Sequence, residues 1–84
     1  MGVNYYTMEK NQYNKECYEE GYYDNGDLYS KGNYINGTEE GYWEIYWSNG
    51  QLRGKGHFIN GIHEGYWEGY KFTGEFYYKE YFIL

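Results

Sequence analysis

Residues suited to a core alternate with residues suited to solvent along much of the chain, and Asn-Gly or Thr-Gly cuts the runs at regular intervals. In Tyr42 to Trp47 the side chains of Trp43, Ile45 and Trp47 alternate with those of Tyr42, Glu44 and Tyr46. That period of two predicts a β-strand, and no segment carries the 3.6-residue period of an amphipathic helix. Asn25-Gly26, Asn49-Gly50 and Thr73-Gly74 each separate two extended runs. Asn-Gly in that setting signals a hairpin, because a type I′ turn needs positive φ at both central residues.

The pattern repeats every 24 residues, over 18–41, 42–65 and 66–84. Gly26, Gly50 and Gly74 fall in register, as do Leu28, Leu52 and Phe76, then Tyr34, Phe58 and Phe82. A fixed period of this length signals an array in which each supersecondary unit covers its neighbours. Residues 1–17 fit poorly, and Asn4 to Met8 with Gln12 to Glu16 are expected to form a degenerate capping unit. The expected fold is all-β: a single-layer, curled antiparallel meander of hairpins with no helix.

Two-residue loops at the three Asn/Thr-Gly pairs would fix the pairing register. Trp47 then faces Leu52, Ile45 faces Gly54, Glu44 faces Lys55, and Trp43 faces Gly56, over which its indole can lie. The same register sets Glu20 opposite Lys31 and Glu68 opposite Lys79. Opposite charges at one equivalent position in three units mark the register, at a few tenths of a kcal/mol each (about 0.2–1). One face then carries Trp43, Trp47, Trp67, Leu52, Phe58, Phe76 and Phe82. The other carries Glu44, Glu68, Arg53, Lys55 and His57, with Tyr22, Tyr29, Tyr46, Tyr70 and Tyr77.

Tyr46 to Leu52, Phe58 with Asn60-Gly61, and Gly65 with Trp67 and Tyr70 resemble the hairpin-type variant of the MORN repeat, with its Y-x-x-N-G-x-L and G-x-W-x-x-Y elements. The likeness covers about residues 18–77; Thr73, Phe76 and Glu19 depart from it. It implies a gently curled meander used as a protein-interaction scaffold, in some bacterial members as an antitoxin. The family has no shared catalytic residues.

A formal charge of −6 argues against a phosphate backbone or an anionic membrane as partner and favours a basic protein. One cysteine, Cys17, excludes an intramolecular disulfide, and two histidines, His57 and His63, supply no metal cluster. Neither a signal peptide nor a membrane span is recognisable, so a cytoplasmic chain is expected. No nucleophile meets a base in the sequence: Cys17 reads as an inert thiol, while Glu39, Glu40 and Glu64 read as solvated turn carboxylates. The chain is therefore expected to lack enzymatic activity, cofactors and metals.

Tyr22, Glu44, Tyr46, Glu68, Tyr70 and Tyr77 are the expected partner-binding residues, since tyrosine offers large, rigid contact area at low entropy cost. No helix exists to cover the apolar face. The sheet must curl over its own aromatics, pair with a copy in a homodimer, or receive a partner. Three functions follow in order: a module that binds and neutralises a partner protein, as an antitoxin or a virus-encoded inhibitor of a host defence enzyme does, with acidic imitation of nucleic acid as one means; an assembly module self-associating through the apolar face; and an aromatic platform for carbohydrate.

Overall fold

A computed structural model describes the backbone of residues 3–11 and 16–83 and the side chains of residues 16–83. Among the described residues seven strands form one antiparallel sheet in sequential order: β1 (Val3–Asn11), β2 (Glu16–Tyr23), β3 (Leu28–Ile35), β4 (Thr38–Tyr46), β5 (Leu52–Ile59), β6 (Ile62–Tyr70) and β7 (Phe76–Phe82). The fold is all-β, a single open meander of hairpins. It measures 41 × 35 × 16 Å, the third dimension reflecting the twist that strand chirality imposes. The expected capping unit contributes one strand, β1, paired to β2; Gln12 to Lys15 lie outside the described residues.

Two kinds of turn alternate along the meander. Asn36-Gly37 (φ 52° and 83°) and Asn60-Gly61 (φ 55° and 81°) are two-residue loops with both central residues left-handed, which closes β3 on β4 and β5 on β6. The three dipeptides expected to do this form a longer turn instead. Gly50 donates to the Trp47 carbonyl (3.0 Å) and Trp47 to the Gln51 carbonyl (2.8 Å), with only Gly50 at positive φ (89°). The same bonds recur at Tyr23–Asp27 and Lys71–Glu75.

A bulge follows each longer turn, leaving Tyr29, Arg53 and Tyr77 without a paired residue. Beyond the bulge the expected register holds, with Glu20 opposite Lys31, Glu44 opposite Lys55 and Glu68 opposite Lys79. On the turn side it fails: Leu52 lies opposite Tyr46 rather than Trp47, and Phe76 opposite Tyr70. Directly opposed residues share a face, so Leu52 and Phe76 belong to the tyrosine face, not the apolar one. The Tyr70 and Phe76 rings meet there at 5.8 Å. Conversely, the bulge turns Tyr29, Arg53 and Tyr77 onto the tryptophan face. Tyr29 and Arg53 there line a groove with Ile45 and Trp67, and the ring of Tyr77 meets that of Tyr78 at 5.7 Å.

Trp43, Phe58 and Trp67 are the buried hydrophobic core, joined by half-buried Tyr34, Ile45 and Phe82. Glycines provide its floor. Trp43 is backbone-paired with Gly56, but its indole lies over Gly32 on the preceding strand, and that of Trp67 lies over Gly56. Each indole donates back to a neighbouring strand, Trp43 Nε1 to the Asn33 carbonyl and Trp67 Nε1 to the His57 carbonyl, both at 3.1 Å. For these residues the chain itself supplies the cover: the two indoles lie along the sheet where a side chain is missing, and the Phe58 ring stands edge-on between them.

The longer turns of neighbouring units are stitched together. Tyr23 donates its hydroxyl to the Tyr46 carbonyl (2.9 Å), and one repeat later Trp47 Nε1 donates to the Tyr70 carbonyl (3.0 Å). Asn49 Nδ2 adds a bond to the Phe72 carbonyl at 2.9 Å. Each unit thus leans on the next, as in other repeat arrays.

Candidate functional site

Strands β2, β4 and β6 each carry Tyr-x-Glu-x-Tyr: Tyr18-Glu20-Tyr22, Tyr42-Glu44-Tyr46 and Tyr66-Glu68-Tyr70. Alternation puts all three residues of each strand on one face, and the repeat aligns the glutamates across the sheet. Lys31, Lys55 and Lys79 stand between and beside them, giving the row Glu20, Lys31, Glu44, Lys55, Glu68, Lys79 over six strands. The ion pairs are long and partly exposed: Lys31–Glu44 at 3.4 Å, Lys55–Glu68 at 3.8 Å and Lys79–Glu68 at 4.0 Å. Lys31 leans towards Glu44 rather than Glu20.

Tyrosine hydroxyls hold the carboxylates. Tyr18 donates to Glu20 Oε2 (2.9 Å), Tyr42 to Glu44 Oε2 (2.7 Å) and Tyr70 to Glu68 Oε1 (2.7 Å). Tyr22 donates to the other oxygen of Glu20 and Tyr46 to the other oxygen of Glu44. The third unit departs, since Lys79 lies over the Tyr66 ring (4.4 Å) and Tyr66 packs on Tyr81 (4.7 Å).

This arrangement favours ionised glutamate and neutral tyrosine. The Tyr22 and Tyr18 hydroxyls hold Glu20 below the usual carboxylate range, and the Tyr70 hydroxyl does the same for Glu68. At Glu44 partial burial pulls upward, but the Tyr46 and Tyr42 hydroxyls and Lys31 outweigh it and the net shift is downward. Partial burial and the hydrogen bond to glutamate push Tyr18 and Tyr42 up to about 12 and move Tyr46 further in the same direction.

Of the expected partner-binding residues, Tyr22, Glu44, Tyr46, Glu68 and Tyr70 come together on this face, and Tyr77 does not. A cleft of 340 Å³ opens beside the row between Tyr42 and Tyr66, with Lys55, His57 and Glu68 at its edge. His57 packs against Tyr42 at 5.5 Å.

Compared with known protein families, curated proteins and solved structures, the chain has no match.

Of the expected self-association residues, Trp43, Phe58 and Trp67 are buried within the chain, while Trp47 and Phe82 are half-buried. The same face holds a second groove, of 300 Å³, beside the core. Arg53 lies at its rim with the guanidinium over the Trp47 ring (4.5 Å). His63 reaches it from β6, packed against Phe58, Trp67 and Phe82 with centroids 4.4–4.9 Å apart. The face of Arg53 could not be read by alternation, because it is set by a bulge; that of His63 follows from alternation with Trp67, but its equivalent in the first unit is Glu39.

The remaining candidates are dispersed. Cys17 is half-buried with its thiol 3.9 Å from Glu19 Oε2. Glu40 accepts a bond from the Asn60 backbone (2.9 Å), which ties the β5–β6 turn to β4. Among the described residues no group of three His, Cys, Asp or Glu is placed to hold a metal ion, and no helix is long and apolar enough to cross a membrane.

Proposed function

We propose that this chain is a non-enzymatic, MORN-like binding module whose tyrosine face grips a basic surface of another protein and neutralises it, in the manner of an antitoxin or an inhibitor of a defence enzyme. The observation that carries this reading is the Tyr-x-Glu-x-Tyr array. Hydroxyls already orient the carboxylates, so an incoming cation meets ordered acceptors and little side-chain entropy is lost on binding. The lysines between them are held by long, partly exposed contacts worth about 0–1 kcal/mol. An arginine fork from a partner, which binds a carboxylate through two bonds, can displace them. The tyrosine rings around each carboxylate supply the apolar contact. Alternating lysines make the row a poor imitation of a phosphate backbone, so the reading is of a protein surface with basic and acidic groups in register.

The test is capture from host extract on the immobilised chain, compared with an E44Q/E68Q variant. A basic protein retained by the parent chain, released by salt and retained at least tenfold less by the variant supports the reading. No retained protein, or equal retention by both, overturns it. One feature favours self-assembly as a second reading: Phe76 to Tyr81 on edge strand β7 are all exposed. Sedimentation of the purified chain as a monomer at micromolar concentration would eliminate it.

A further inference from the structure

Residues shared by the repeat units build the sheet, so departures that gather in one place stand out. Several of them gather at the groove on the tryptophan face. Arg53 stands where the other units carry Tyr29 and Tyr77, His63 where the first carries Glu39, and Tyr78 where the others carry Ser30 and Gly54. Among the described residues not one carboxylate lines this groove, in a chain of formal charge −6. Arg53 is the one arginine of the sequence, and none of the ion pairs among the described residues includes it. A bulge turns it away from the glutamate row and sets it on an aromatic ring. His63 Nδ1 is buried with no hydrogen-bond partner among the described residues.

We infer that this groove binds a small organic carboxylate with an aromatic or branched apolar body. Stacking on Trp47 fixes the plane of the guanidinium, whose N–H groups lie in that plane and match a carboxylate through two parallel bonds. Beside aromatic walls that pairing is stronger than in open water. Tyr29, Ile45, Trp67 and Tyr78 receive the apolar body, and Gly54, which has no side chain, leaves the space for it. The volume is at the small end of ligand pockets, roughly 300–1,000 Å³, and sets the ligand at metabolite size. This site lies on the face opposite the glutamate row and stands or falls independently of it.

Naphthylacetate is a suitable probe, with naphthylacetamide as its uncharged analogue of the same shape. Titration followed by amide and indole NMR shifts should show saturable naphthylacetate binding at the Gly54 amide and the Trp67 indole. R53Q should weaken it about tenfold or more, the loss of a charged hydrogen-bond pair, whereas R53K, which keeps the charge without the fork, should fall in between. Naphthylacetamide should bind weakly and equally to the parent chain and R53Q. Absence of saturable binding, equal affinity for acid and amide, an unchanged R53Q, or shifts confined to the tyrosine face would each overturn the inference. Arg53 is exposed, so R53Q should keep the parent unfolding curve; if it does not, the comparison of acid with amide on the parent chain decides alone.

Discussion

At the scale of single residues, two glycines explain how so small a chain buries two tryptophans. A Cβ built on Gly56 would stand 2.5 Å from the Trp67 ring, and one on Gly32 would stand 2.1 Å from that of Trp43. The indole cannot move aside freely, because its Nε1 is bonded to a strand carbonyl. Gly56→Ala should therefore destabilise the chain by about 1–3 kcal/mol, the cost of overpacking. Gly54→Ala is the control. Its Cβ would meet the Glu68 carbonyl at 3.3 Å and the Trp67 ring only at 3.9 Å, so its cost should be clearly lower. Urea unfolding midpoints for the two variants check this, and equal losses would refute the glycine-floor account.

At the scale of elements, the two turn types make different demands. Gly50 and Gly61 both have positive φ, which costs an L-residue about 1–2 kcal/mol. A Cβ on Gly50 meets nothing within 4 Å, whereas one on Gly61 would lie 2.7 Å from the Thr38 methyl. Gly61→Ala should thus lower stability more than Gly50→Ala, as thermal unfolding would show. The turns also explain which part of the fold was legible. Asn-Gly serves both types, and the sequence offers the dipeptide in both places. What separates them is their flanks: Asn25 and Asn49 accept bonds from Asp27 and Gln51 (both 2.9 Å) within polar stretches, while Asn36 and Asn60 follow isoleucines that continue a strand. The meander and the Glu–Lys register were therefore readable, because the bulge leaves the pairing beyond it unchanged. The faces of Leu52, Phe76, Arg53 and Tyr77 were not, because one unpaired residue reverses alternation locally. Amide exchange should follow the same anatomy. Strand β7 is paired on one side only and its side chains are exposed from Phe76 to Tyr81, so its amides should exchange faster than those of β4 to β6.

At the scale of the whole molecule, the charge is unevenly spread. Residues 1–41 hold eight acidic and three basic side chains, against five and four in residues 42–84. The glutamate row runs from the first region into the second, and its response to pH is collective. Glu20, Glu44 and Glu68 are all held below their ordinary values in the folded chain, so the unfolded chain binds more protons when the solution is acidified. Their contribution to stability is fully present above the ordinary carboxylate range, near pH 5 and higher, and is lost as pH falls through the lowered folded values. The tyrosines set the opposite limit. Tyr18 and Tyr42 titrate near 12 when folded and near 10 when unfolded, so stability declines as pH rises through that interval. Ionisation there would also place a phenolate against a carboxylate and remove the donor that orients it. Denaturant midpoints measured across pH should form a plateau bounded by both declines. In a Y42F/Y46F variant the plateau should be lower and the acid decline shallower, because Glu44 loses both hydroxyls that hold its proton affinity down and its folded value moves back towards the unfolded one. An unchanged acid limb would mean that the hydroxyls follow the carboxylate without stabilising it.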